Sequence, residues 1–204
     1  MPSAKSLRSR NPSTAPPRRI VVGISGASGV IYGVRTLEIL REAGIEAHLV
    51  MSRSAEVTLA HETNLKVAEV RKLARTAYNN TDMAAAIASG SFQTLGMLVV
   101  PCSIRSVSEI ATGVTSTLLT RAADVALKEC RRVVLMVRES PLHIGHLKTL
   151  TRAAEIGAVI APPVPAFYSK PRSIDDLIDH SIGRALDLFG IDVGLVKRWG
   201  EVEE

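Results

Sequence analysis

Aromatic side chains are scarce in this chain: one tryptophan, three tyrosines and three phenylalanines among 204 residues. Stacking platforms for single-stranded nucleic acid are therefore not expected. Cysteine is scarce too. Cys102 and Cys130 are the only two, which argues against a disulfide scaffold and fits a reducing, cytoplasmic compartment. No apolar run approaches the roughly 18–20 residues of a membrane-spanning helix. The N-terminus lacks the apolar stretch of a secretory signal. Acidic residues are missing from the first 19 positions, which hold Lys5, Arg8, Arg10, Arg18 and Arg19. The net charge of +5 belongs to that segment, because the chain from Ile20 onward carries 20 basic and 20 acidic residues. A basic face on the folded domain, the footprint of a nucleic-acid binder, is not expected.

What is present is an ordinary globular composition, 46% apolar and 22% charged, in a length that suits one domain. Residues 1–18 read as a disordered basic tail with four prolines, and 19–204 as the domain. Within it, β-branched apolar runs alternate with helical stripes. Strands are expected at Ile20–Ser25, Ala47–Met51, Ala74–Tyr78, Leu95–Val100 (stopped by Pro101), Arg132–Val137 and Ala158–Ala161. Helices are expected at Val30–Ala43, after Ser52 as an N-cap, and over Leu65–Leu73, Ser116–Cys130, Ile144–Ile156 and Ile174–Phe189. Fully apolar strands separated by helices imply a parallel sheet covered on both faces. The expected fold is a single doubly wound α/β sheet, a three-layer Rossmann-like or flavodoxin-like arrangement.

Ligands of such sheets bind beyond the carboxyl ends of the strands. Four of those ends carry small, hydroxyl or ionic groups: Ser25-Gly26-Ala27-Ser28-Gly29, Ser52-Arg53, Pro101-Cys102-Ser103 and Arg138-Glu139-Ser140-Pro141. In the first, Gly26 and Gly29 allow close backbone approach, and the helix from Val30 would aim free N–H groups at an anion. The spacing is neither G-x-G-x-x-G nor a nucleoside-triphosphate loop, so a phosphate site and an ordinary tight turn both fit. Ser52 reads first as a cap. Ile87–Phe92 is a small-residue loop that reads as a surface turn. Arg121, Asp124 and Lys128 share a helix face and read as an ion-pair ladder. His143 and His146 lack the further ligands a metal needs. Cys102 has no neighbouring histidine and reads as a buried small hydrophobe.

Taken in order, several segments resemble the flavin prenyltransferase family from about Arg19 to Trp199. They are Gly26-Ala27-Ser28-Gly29, His61-Glu62-Thr63, Ile87-Ala88-Ser89-Gly90-Ser91-Phe92 and Pro101-Cys102-Ser103, then Arg121–Glu129, Arg138–Leu142, Pro165–Tyr168, Arg184 and Arg198-Trp199-Gly200. The resemblance implies an enzyme that binds reduced FMN and dimethylallyl phosphate, joins the prenyl group to flavin N5 and C6 without a metal, and passes prenylated FMN to a partner decarboxylase. It implies that Gly26, Ala27, Ser28, Ser52, Ser103, Ile104, Arg105, Ser106, Arg121 and Arg138 hold FMN. It implies that Ser89, Lys128, Glu139, Tyr168 and Arg184 hold the prenyl phosphate. Glu62, Lys128, Glu139 and Trp199 are the implied catalytic groups: Glu62 for proton transfer near the flavin, Trp199 as a wall for the allyl group. It further implies a homo-oligomer, typically a dodecamer, with sites at subunit contacts.

Two departures from the family pattern stand out. Ser116-Thr117 replaces an Asp-Asn or Asn-Asn pair, and Arg105 replaces a lysine or small residue. Both fall near the expected flavin site, and Ser116-Thr117 keeps open a second reading, a non-catalytic FMN-binding accessory subunit of a decarboxylase complex. A third reading, an FMN-dependent cysteine decarboxylase, lacks its Pro-x-Met-Asn-type segment here.

Overall fold

The computed structural model describes residues 18–200. The expected tail therefore lies outside the described residues up to position 17. Arg18 already belongs to the domain, since its carbonyl accepts the Glu46 N–H at 3.0 Å.

Six strands form one parallel sheet. They are β1 (Arg19–Ile24), β2 (Glu46–Met51), β3 (Thr76–Tyr78), β4 (Gly96–Cys102), β5 (Arg132–Val137) and β6 (Ala158–Ile160), in the spatial order β3-β2-β1-β4-β5-β6. Seven helices link them: α1 (Val30–Glu42), α2 (Arg53–Glu62), α3 (Val67–Leu73), α4 (Ile104–Thr112), α5 (Leu118–Lys128), α6 (Ile144–Glu155) and α7 (Ile174–Asp187). Alternation along each strand builds two cores. Ile20, Val22 and Ile24 of β1 pack with α1, α2, α3 and α7, while Met97, Val99, Leu135 and Val137 pack with α4 and α5. This is the expected three-layer, doubly wound arrangement.

The strand order reverses between β1 and β4, so a crevice opens between their carboxyl ends. The buried Ser25 hydroxyl bridges that point. It donates to the Pro101 carbonyl at 3.1 Å and accepts the Ser103 N–H at 2.7 Å.

Two expectations fail here. Pro101 does not stop β4. The strand runs on to Cys102, with a cis Val100–Pro101 bond and a register irregularity after Val99. A proline is tolerated where pairing is already interrupted. Beyond it, Ser103 opens a helix, α4, that is missing from the expected elements. Ser103 caps it by accepting the Ser106 N–H at 3.3 Å, and Val107, Ile110 and Ala111 bury one face. A cap followed by this apolar spacing was a readable helix start.

Candidate functional site

Five of the implied flavin residues line one cleft at the switch point. Gly26, Ser52, Ser103, Arg105 and Ser106 enclose about 420 Å³ together with Asn80, Glu109, Thr117 and Thr120. Gly26 has to be glycine, because an added Cβ would collide with the Ser54 side chain.

Four of the helices that begin at this edge of the sheet, α1, α2, α4 and α5, differ in which N–H groups remain open. At α1, Gly29 sits at φ 93° as the N-cap, a left-handed conformation that suits glycine. The Glu62 carboxylate accepts both the Gly29 N–H (2.9 Å) and the Val30 N–H (2.9 Å). The anion at that helix start is thus the protein's own, which favours the tight turn over the phosphate site among the two readings left open for this segment. At α5, the Asn80 carbonyl takes the Leu118 N–H at 2.8 Å and its Oδ1 takes the Leu119 N–H at 3.0 Å. Thr117 Oγ1 takes the Thr120 N–H, so this end is closed too. At α2 and α4 the serine caps satisfy only the third-position donors, Ala55 and Ser106. The N–H groups of Arg53, Ser54, Ile104 and Arg105 have no acceptor among the described residues. Both open ends border the cleft, which makes it suited to a phosphate. The donor set and the space fit FMN.

Burial pushes the Glu62 carboxyl up, but hydrogen bonds from Ser28, Val30 and Gly29, with Arg138 nearby, outweigh it and hold the group below its ordinary value. Glu62 is therefore a carboxylate at neutral pH, able to accept a proton rather than to donate one. The fully buried Cys102 thiol is pushed up by burial, in keeping with a packing role.

A second cavity of about 280 Å³ lies over the ends of β5 and β6. Its lining includes Met136, Tyr168, His180, Ser181 and Arg184. Tyr168 meets Trp199 edge to face at 5.4 Å and its hydroxyl lies 3.4 Å from His180 Nε2. Trp199 is 82% exposed and reaches the cavity only through its contact with Tyr168. Asp187 fixes the arginines. It accepts from Arg184 at 2.8 Å and from Arg198 at 3.0 Å. Arg138 and Glu139 follow β5 at the same edge, where Glu139 accepts the Ser140 N–H at 3.1 Å.

Not every implied residue joins these groups. Arg121 pairs with Asp124 at 2.8 Å and does not line the cleft. Ile104 packs on the apolar core and contributes only its N–H. Ala27 is buried in the turn. Lys128 does not join the ladder with Asp124. It pairs with Glu129 at 2.7 Å, and Glu129 presses against Gly90 in the loop that carries Ser89. Lys128 precedes β5 whereas Glu139 follows it, and six strand residues span roughly 20 Å. Ser89 and Lys128 thus stand together at the amino edge of the sheet, away from Tyr168 and Arg184 in the same chain. Arg131 secures them there by donating to the Gly90 carbonyl (2.6 Å) and the Phe92 carbonyl (2.7 Å).

Asn80, Glu109, Arg131 and Asp187 went unnoticed in the sequence, and Thr117 was marked only as a departure from the family pattern. Thr117 carried a signal, as a threonine before an apolar run. The others act through contacts distant in the chain or on an otherwise ordinary helix face. Among the described residues no group of histidine, cysteine or acidic side chains could hold a metal ion, and no helix is long and apolar enough to cross a membrane.

The Flavoprotein family model matches residues 8–186. Flavin prenyltransferase UbiX of Escherichia coli (strain K12) is 57% identical over 185 residues, covering 89% of this chain and 98% of that protein. The chain belongs to the UbiX flavin prenyltransferase family. Two solved structures agree with it in fold. AnUbiX (PadA1), crystallised with FMN and dimethylallyl pyrophosphate, superposes with a TM-score of 0.90 at 49% identity, covering 92% of this chain and 100% of that one. A dodecameric FMN-dependent UbiX-like decarboxylase from Escherichia coli O157:H7 gives 0.87 at 42% identity, covering 90% and 100%. The family assignment and the α/β fold expected from the motifs hold.

Proposed function

We propose that this protein is a metal-independent flavin prenyltransferase that joins a dimethylallyl group from dimethylallyl phosphate to N5 and C6 of reduced FMN. The carrying observation is the pair of cavities at one sheet edge, in a chain 57% identical to a UbiX prenyltransferase. Reduced flavin supplies the nucleophilic atoms. In this reading the open ends of α2 and α4 hold its phosphate, with Ser52, Ser103 and Ser106 beside them. The Glu62 carboxylate takes up the proton released near the ring, and the hydrogen bonds from Ser28, Val30 and Gly29 hold it in its charged form.

Arg184 neutralises the leaving phosphate, held ready by Asp187, which is the preorganised electrostatic help that bond breaking needs. In this reading Glu139, past the end of β5, hands a proton to that phosphate. Tyr168 and Trp199 offer π faces to the allylic carbon as it becomes positive, worth about 0.5–2 kcal/mol each. They also keep out water, which would otherwise capture it. Ser89 and Lys128 serve a neighbouring copy, so the working unit is a homo-oligomer, and a dodecamer such as that of the UbiX-like relative suits it. The product, prenylated FMN, passes to a prenylated-flavin-dependent decarboxylase, and the protein works in the cytoplasm.

The accessory-subunit reading depended on Ser116-Thr117. Thr117 now caps α5 and Ser116 donates to Glu109, so the replacement leaves no broken element. The test is phosphate release. Protein loaded with reduced FMN should liberate one phosphate per flavin from dimethylallyl phosphate. Oxidised FMN should give none. Equal release without reduced flavin, or no release at all, would overturn the reading.

A further inference from the structure

The flavin cleft contains one feature at odds with binding an anion: a carboxylate. Glu109 lines it, with its side chain only 18% exposed. Two groups answer that charge. Arg105 Nε donates to Glu109 Oε1 at 2.9 Å, and Ser116 Oγ donates to Oε2 at 3.1 Å. The two departures from the family pattern, Arg105 and Ser116, therefore converge on the same side chain. Arg105 itself is 80% exposed at the rim, and its guanidinium is spent on Glu109.

We infer that Arg105 serves FMN binding by cancelling the charge of Glu109, a carboxylate that opposes the anion in the cleft and that Ser116 also holds. This rests on the proposed FMN site. The open N–H groups of Ile104 and Arg105 lie one turn from Glu109 on α4, so an uncancelled carboxylate faces the phosphate they would hold. Like charges in a partly screened cleft repel far more than they do in bulk water. A direct Arg105–phosphate contact and this indirect role predict opposite results when both residues are removed.

The experiment measures the FMN dissociation constant by flavin fluorescence for the full-length protein and four variants, with thermal melts to check the fold. Arg105→Ala should weaken FMN binding roughly tenfold, the order expected for one unpaired, partly screened charge. Arg105→Lys should keep most of the affinity, because an ammonium can still answer Glu109. Glu109→Gln should bind FMN about as well as wild type or better, since it frees the Arg105 charge. The double variant Arg105→Ala/Glu109→Gln should recover most of what Arg105→Ala loses, a non-additivity that independent sites do not show. A double variant as weak as Arg105→Ala, or an Arg105→Ala with unchanged affinity, overturns the inference while leaving the FMN site intact. Wild-type protein that does not bind FMN at all overturns the proposed site instead.

Discussion

Replacing Glu62 separates its structural and chemical roles. The carboxylate caps α1 through the N–H groups of Gly29 and Val30. Loss of an N-terminal cap costs about 1 kcal/mol and up to about 2. The charge at the positive end of the helix contributes a further ~0.3–1 kcal/mol, discounted because Glu62 is exposed. Glu62→Ala is therefore expected to lower stability by about 1–2 kcal/mol, or ~2–8 °C in Tm for a domain of this size. Glu62→Gln retains one acceptor oxygen and should lose about half as much. The pH dependence follows from the direction of the shift. The folded-state pKa is lowered, so the stabilisation is present above the ordinary carboxylate range near ~4.3 and is lost as pH falls through the folded value. The wild-type and Glu62→Gln melting curves should lie apart at neutral pH and converge in acid. Denaturant titrations of both proteins across that range are the assay. A gap that is absent at neutral pH, or that stays constant into acid, would refute the capping carboxylate.

Other outcomes follow from single contacts. Gly26→Ala pushes a methyl into Ser54 at the cleft and should abolish FMN retention on gel filtration while the far-UV spectrum stays native. Arg131→Ala frees the loop carrying Ser89; KM for dimethylallyl phosphate should rise several-fold in a steady-state assay, with FMN affinity unchanged and Arg131→Lys intermediate. Alkylation of the native protein should modify Cys130, which is exposed, and spare Cys102, which is buried with its thiol pushed up; peptide mapping decides it. Leu98→Ala empties a fully buried position in the central strand and should cost about 2–5 kcal/mol by chemical denaturation.

Local rules carried most of the fold. Every strand except the short edge strand β3 was visible as an apolar run, because a doubly covered parallel sheet leaves no polar face to break it. The exceptions are instructive. Pro101 reads as a strand terminator, yet the register irregularity in β4 removes the pairing it would have disrupted. Helix α4 was hidden because Ser103 to Ser106 look like a serine-rich loop until the serines are seen as caps. The site was legible in part. Residues at strand ends fell where the crossover rule puts them, and the Gly26, Ser52 and Ser103 segments do share one cleft. Which helix ends stay open was not legible. That depends on Glu62 and Asn80, residues 32 and 39 positions from the N–H groups they occupy. The separation of Lys128 from Tyr168 was equally hidden, since both belong to one motif series while the sheet places them at opposite edges.

The most direct measurement is the mass of the flavin after reaction. Purified protein, reduced FMN and dimethylallyl phosphate are incubated without oxygen, and the flavin is extracted and weighed by mass spectrometry. The account predicts FMN heavier by one dimethylallyl unit, formed by the wild type and lost in Lys128→Ala and Glu139→Gln. Flavin recovered as unmodified FMN from protein that retained it throughout would contradict the account.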